Sequence, residues 1–169
     1  MEPIVSIIMG STSDLPIMEK AMNFLEDMQV PFEVNALSAH RTPDAVEQFA
    51  KGAKARGIKV IIAGAGMAAA LPGVIAASTT LPVIGVPIKG SVLDGVDALY
   101  SILQMPPGIP VATVAINGAM NAAILACQMI SLADESLAKK MEDYKNGLGS
   151  KIEKANQALA EIKYTYKTN

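Results

Sequence analysis

Ile4-Val5-Ser6-Ile7-Ile8-Met9-Gly10-Ser11-Thr12-Ser13-Asp14 opens the chain and sets its architecture. Residues 4–9 form a short, mostly apolar run that reads as a strand. Four small or hydroxylic residues and an acid follow. Leu15, Met18, Met22, Leu25 and Met28 then recur at spacings of three and four, the apolar stripe of one helix face. A strand feeding a helix through a tight polar turn is the repeating unit of an α/β sheet.

The unit recurs along the chain. Residues 4–9, 32–37, 60–63, 83–86 and 111–116 read as strands, and four of these five are near-continuously apolar. That is the pattern of parallel strands covered on both faces. Phe32-Glu33-Val34-Asn35-Ala36 alternates instead, which predicts an edge position. Thr42 followed by Pro43 predicts an N-cap and a proline at the first helical position, with Gly57 as the stop. Residues 93–105 and 119–133 are further helical patterns. The order predicts a doubly wound, three-layer α/β sandwich around a five-stranded parallel sheet, with right-handed crossovers. Ligands in such sheets bind beyond the carboxyl ends of the strands.

From Asp134 onward the composition changes. Leu137, Met141, Tyr144, Leu148, Ile152, Leu159 and Ile162 form a helical stripe opposite Lys and Glu, weakened midway by Gly147 and Gly149. Residues 1–133 are thus the α/β part and 134–169 a C-terminal helical extension of the same domain. With no strand to cover, the extension is expected to pack on a neighbouring subunit; a solvated surface helix is the other reading.

At 169 residues a single domain buries about 70% of its extended-chain surface. Hydrophobic residues make up 51% of the chain and charged ones 18%, an apolar balance. No uninterrupted apolar stretch reaches the roughly 18–20 residues of a membrane helix, so the excess points to burial between subunits. The net charge is -2 with no basic stripe, which argues against nucleic acid as a partner. Cys127 is the only cysteine and lies in an apolar run; it forms no intramolecular disulfide and fits a buried small hydrophobe. One Cys and one His cannot build a four-ligand zinc site, and no metal is expected. The N-terminus enters a strand pattern with no basic leader, so no signal peptide and a cytoplasmic location are expected.

The only histidine, His40, sits in Ser38-Ala39-His40-Arg41-Thr42-Pro43, where a strand ends and a helix begins. Histidine is the side chain whose unperturbed pKa lets it gain and lose a proton near neutrality. With Arg41 beside it, the loop suits an anionic substrate, although a His-Arg pair on a loop is also common surface decoration. Gly10-Ser11-Thr12-Ser13-Asp14 offers backbone N–H groups, a helix N-terminus and three hydroxyls to a phosphate. Helix capping by Ser13 or Asp14 explains the same residues without a ligand. Ala63-Gly64-Ala65-Gly66-Met67-Ala68-Ala69 resembles a dinucleotide fingerprint, but it follows the third strand and no acid appears in the region of residues 81–86. It remains a small-residue loop that lets backbone approach some ligand. Lys89, in Val86-Pro87-Ile88-Lys89-Gly90, suits an anion or plain solvent, and Asn117-Gly118 suits a turn.

Gly-Ser-x-Ser-Asp, Ser-Ala-His-Arg-Thr-Pro, Ala-Gly-Ala-Gly, Leu-Pro-Gly, Gly-Val-Pro, Gln-Met-Pro and Asn-Ala-Ala occur here in that order, between about Val5 and Ala133. The series resembles the N5-carboxyaminoimidazole ribonucleotide mutase family of purine biosynthesis. The resemblance implies a flavodoxin-like fold and an isomerase without metal or organic cofactor. Such an enzyme moves a carboxylate from the exocyclic amine of an imidazole ribonucleotide to ring carbon 4, by way of trapped carbon dioxide. It implies His40 as the catalytic residue. Ser11, Ser13, Asp14 and Arg41 match substrate-binding positions, with Ser11 and Arg41 suited to phosphate and Asp14 to a ribose hydroxyl. Ser38, Gly66, Ala68 and Leu71 would lie around the imidazole and its carboxylate. A closed, dry pocket lined by residues 65–71 is expected for holding carbon dioxide. A homo-octamer, and supply of substrate by an ATP-dependent N5-carboxyaminoimidazole ribonucleotide synthetase, are implied too. Met67 and Ala70 depart from the family pattern, which commonly has Gly and a second histidine there.

Two other readings stay open. One is a direct aminoimidazole ribonucleotide carboxylase that uses carbon dioxide. The other is a non-catalytic nucleotide-binding module of flavodoxin-like shape.

Overall fold

The computed structural model describes Met1–Asn169, and the chain divides into two compact units, Met1–Ile130 and Ser131–Asn169. The first holds a five-stranded sheet in the order β2-β1-β3-β4-β5. Its strands are β1 (Val5–Met9), β2 (Phe32–Ala36), β3 (Val60–Gly66), β4 (Val83–Ile88) and β5 (Ala112–Thr113), all parallel. The helices are α1 (Leu15–Asp27), α2 (Pro43–Ala53), α3 (Leu71–Ser78), α4 (Val96–Leu103) and α5 (Ala119–Ser131). Strand order reverses between β1 and β3, the topological switch point at which doubly wound sheets open a crevice.

Every residue of β1 and β4 is buried, and all of β3 but Gly66. This is the two-sided cover that their apolar runs predicted. Side chains of a strand alternate between faces. Ile61, Ala63 and Ala65 of β3 join Ile8 of β1 in one core with Val46, Ala50, Leu71, Ile75, Ala98 and Ile102 of α2, α3 and α4. Gly64 faces the other way, where a Cβ would stand 2.5 Å from Met18 Sδ of α1. Helices therefore cover both faces. The half-exposed alternation of β2 matches its place at one edge.

Ser6 is the one buried polar residue, and its hydroxyl donates to Glu33 Oε1 at 2.9 Å. The same oxygen accepts from Arg56 Nη2 at 3.0 Å. The Arg56 guanidinium stands 5.0 Å from the Phe49 ring centre. This group ties β1 and β2 to the turn after α2. Cys127 is fully buried, and burial pushes its thiol pKa up to about 11, in keeping with a small hydrophobe.

Several boundaries differ from expectation. β3 and β4 run further, to Gly66 and Ile88; the parallel pairing continues through Pro87, opposite Ala65, although proline brings no N–H to the ladder. β5 is only two residues long. It is an edge strand with one neighbour, so its half-buried residues are covered less than their apolarity implied. Thr42 does not cap α2 through its side chain. Its hydroxyl accepts from the Ser38 N–H and donates to the Ser38 carbonyl, both at 3.0 Å, closing the loop that carries His40. Gly57 does end the segment, at φ 89°, after a 3-10 turn at Lys54–Arg56.

The second unit holds two helices, α6 (Glu135–Gly147) and α7 (Gly149–Glu161), where one interrupted stripe was expected. The Asp134 side chain caps α6 by accepting from the Leu137 N–H at 3.0 Å. Leu137 and Met141 are buried, while α7 buries nothing and exposes Ile152 and Leu159. No helix is long and apolar enough to cross a membrane.

Candidate active site

The carboxyl ends of β1, β2, β3 and β4 surround a cavity of about 750 Å³. Each loop contributes what its sequence allows. After β1, Gly10, Ser11, Ser13 and Asp14 line it; after β2, Ser38, Ala39, His40 and Arg41. Residues 65–71 form the wall after β3, and Ile88, Lys89, Gly90 and Ser91 the wall after β4, with Asn117 from beyond β5. All nine residues singled out from the sequence, Ser11, Ser13, Asp14, Ser38, His40, Arg41, Gly66, Ala68 and Leu71, thus border one space.

In the first loop the side-chain cap comes from Ser11, not from Ser13 or Asp14. Ser11 caps the 3-10 turn Thr12–Asp14 by accepting from the Ser13 N–H at 3.2 Å. Asp14 occupies the N-cap position of α1 but its carboxylate makes no cap hydrogen bond. It accepts a 3.4 Å contact from the Ser13 hydroxyl and a hydrogen bond from the Ser11 backbone. Burial raises the Asp14 carboxyl above its ordinary value of 3.8, against the lowering effect of hydrogen bonds from Ser13 and Ser11. A half-buried acid not used by its own helix is available to a ligand hydroxyl.

In the second loop the Ser38 hydroxyl accepts from the Arg41 N–H at 3.2 Å. With the two Thr42 hydrogen bonds, this fixes a tight turn that presents His40 and Arg41 outward. Both side chains are exposed. Neither forms an ion pair, whereas Lys89, the other cation of the cavity, pairs with Asp94 at 2.8 Å.

The third wall is apolar and built by close approach. A Cβ on Gly66 would lie 3.2 Å from the Ile88 carbonyl oxygen, so glycine lets the β3 and β4 ends lie together. Ala65, Ala69 and Leu71 are buried here. Met67 adopts φ 55° and is 70% exposed, a left-handed conformation that is costly for a long side chain. The floor is apolar, and His40, Arg41, Met67 and Ala68 leave the mouth open in the single chain, so one chain alone does not form the closed pocket expected.

Ile17, Ser91 and Asn117 carried no signal as site residues. Asn117 read as a turn residue and does sit at φ 58°. Its side-chain oxygen also accepts from the Lys89 N–H at 2.9 Å, a long-range pairing that local sequence does not encode. No three His, Cys, Asp or Glu side chains come together to hold a metal ion.

The AIR carboxylase family profile matches residues 4–151. The chain belongs to this family. It is 52% identical over 162 residues to the N5-carboxyaminoimidazole ribonucleotide mutase of Thermotoga maritima, covering 96% of this chain and 95% of that one. It is 55% identical over 163 residues to the phosphoribosylaminoimidazole carboxylase of Candida glabrata, covering 96% of this chain but 29% of that protein. The chain thus spans under a third of such longer fungal relatives. The crystal structure of Treponema denticola PurE superposes with a TM-score of 0.84 at 32% identity, covering 93% of this chain and 98% of that one. Fold and family are those that the ordered motifs implied.

Proposed function

We propose that the protein is an N5-carboxyaminoimidazole ribonucleotide mutase, an isomerase of purine biosynthesis. The observation that carries this reading is the placement of the only imidazole of the chain, His40, beside an unpaired arginine and hydroxyl-rich loops at one cavity. Relatives of similar length, at 52–56% identity, bear the mutase name.

The residues divide the work. Arg41, with its fork of donors, and Ser11 hold the phosphate, and Asp14 accepts from a ribose hydroxyl. Ser13 lines the phosphate loop. Ser38, Gly66, Ala68 and Leu71 surround the imidazole and its carboxylate. His40 donates a proton to the exocyclic nitrogen as the N–C bond of its carboxylate breaks and carbon dioxide is released. Carbon 4 of the ring then attacks that carbon dioxide, and His40 takes up the proton which carbon 4 loses. The histidine ends as it began, so one side chain serves as acid and then base. The apolar floor formed by Ala65, Ala69 and Leu71 offers trapped carbon dioxide no competing water.

The open mouth is closed, in this reading, by neighbouring copies in a homo-octamer, in which residues 1–133 are the catalytic part and the helical extension, residues 134–169, packs on a neighbouring subunit. Val96, Tyr100 and Leu103 form an exposed apolar stripe on α4, and Ile152 and Leu159 another on α7, surfaces suited to burial between subunits. The enzyme works in the cytoplasm and takes its substrate from an ATP-dependent synthetase.

Direct carboxylation of aminoimidazole ribonucleotide is the second reading, favoured by the names of the fungal relatives. One experiment separates them. Freshly prepared N5-carboxyaminoimidazole ribonucleotide is offered in one assay, and aminoimidazole ribonucleotide with bicarbonate in another, with the carboxylated product followed by absorbance. The mutase reading requires the faster turnover in the first; a faster second assay overturns it. Sedimentation analysis tests the assembly, and a monomer at micromolar concentration would refute it.

A further inference from the structure

Lys89 has no role in the division of work above, yet it is the one cation on the far flank of the cavity. Parallel strands are spaced about 4.8 Å apart, so β2 and β4, three places apart in the sheet, lie roughly 14 Å apart at their carboxyl ends. Arg41 rises just beyond the first and Lys89 from the end of the second. Two cations therefore flank the crevice, the distribution suited to a ligand with an anion at each end.

The backbone of Lys89 is fixed while its side chain is not. Its N–H donates to Asn117 Oδ1 at 2.9 Å, and Gly95, at φ 89°, lets the loop fold back until a Cβ there would stand 3.1 Å from Lys89 Cα. That return brings Asp94 to the Lys89 ammonium. The Lys89 and Asp94 side chains are 56% and 74% exposed, and ion pairs this exposed contribute little, so an incoming anion can displace the carboxylate. The loop also abuts the wall after β3: a Cβ on Gly90 would lie 3.9 Å from Met67 Cγ.

We propose that Lys89 is a specificity-determining residue which binds the carboxylate of the carboxylated ribonucleotide, exchanging Asp94 for it, while Arg41 holds the phosphate at the other end. Asp94 occupies the ammonium when no ligand is bound, stays there beside ligands that lack a carboxylate, and competes only with those that carry one. The inference rests on the proposed mutase reading, and its test separates the two.

Isothermal titration of the full-length protein uses 4-carboxy-5-aminoimidazole ribonucleotide and 5-aminoimidazole ribonucleotide, which differ only in the carboxylate. Lys89→Met is expected to weaken the first about tenfold, the scale of one charge-assisted contact, and the second less than about twofold. Lys89→Arg keeps the preference, which shows that charge and not loop structure is measured. Asp94→Asn is expected to tighten the carboxylated ligand about two- to threefold, the scale of an exposed pair. Equal weakening of both ligands by Lys89→Met, or none, overturns the proposal. If neither ligand binds the unaltered protein, the mutase reading itself fails.

Discussion

Asn117 Oδ1 accepts a hydrogen bond from the backbone N–H of Lys89 at 2.9 Å. The Asn117 N–H donates to the Pro87 carbonyl at 2.8 Å. One residue thus fastens the loop after β5 to the end of β4 twice, although β5 itself pairs over only two residues. Asparagine suits the position because it tolerates the left-handed region that φ 58° demands and supplies an acceptor. Asn117→Gly keeps that backbone and loses the acceptor, with an expected cost of about 1 kcal/mol. Asn117→Ala adds left-handed strain of about 1 kcal/mol more. Urea denaturation of both variants measures the difference.

His40→Asn is expected to lower kcat by about 10²–10⁴-fold, the usual worth of general acid–base catalysis. Because His40 is exposed and makes no packing contact in the core, thermal stability and ligand affinity stay near those of the unaltered protein. Steady-state kinetics with calorimetric titration checks both. Full activity would remove the catalytic assignment.

Arg41→Ala tests binding instead of chemistry. Loss of a charge-assisted contact to phosphate weakens affinity by about 10- to 100-fold, read by titration with a ribonucleotide and with its dephosphorylated nucleoside. The nucleoside, lacking the phosphate, is expected to bind both proteins alike.

Asp14→Asn is expected to stabilise the protein at neutral pH. Burial raises the folded-state pKa of Asp14 above 3.8, so the folded chain binds this proton more tightly than the unfolded chain does. The favourable contribution is complete below the unfolded pKa and is lost as pH rises through the folded one. At pH 7 the ionised carboxylate is therefore a burden that asparagine relieves, and the gain in Tm fades as the pH falls below about 4. Thermal melts across pH follow it, and substrate affinity is expected to fall in the same variant.

Two glycines of the sheet should respond differently to alanine. At Gly85 a Cβ would meet Ile102 Cγ2 at 2.4 Å and Val111 Cγ1 at 3.0 Å, branched side chains held in the core. At Gly64 its close neighbours belong to Met18 alone, a flexible side chain that can swing aside. Gly85→Ala is expected to cost about 1–3 kcal/mol, as overpacking does, and Gly64→Ala less. Denaturant midpoints rank them.

The local elements were legible in the sequence because each rests on short-range patterns. The apolar runs of β1, β3 and β4 announced two-sided burial, the alternation in Phe32–Ala36 an edge, and the stripe from Leu15 to Met28 a helix. The chemistry of the loops was legible in its residue types, and the ordered motifs carried the family. Thr42 stands at the N-cap with Pro43 at the first helical position, as its sequence indicated, but its hydroxyl serves Ser38 instead of the helix, because local sequence does not choose between partners. β5 was read too long because apolarity marks burial without saying how many neighbouring strands share it.

By itself, the sequence determined that strands alternate with helices, that one imidazole serves the whole chain, and that His40, Arg41 and Asp14 stand where strands give way to helices. Such features depend on residues within a few positions of one another. The tertiary structure alone decided that the loops after β1, β2, β3 and β4 enclose one cavity with Asn117, that Asp14 is left free by its helix, and that Lys89 is paired with Asp94 while Arg41 is not. Strand order is responsible. It sets which distant loops become neighbours, and it follows from burying both faces of the sheet at once, a condition no local stretch of chain contains.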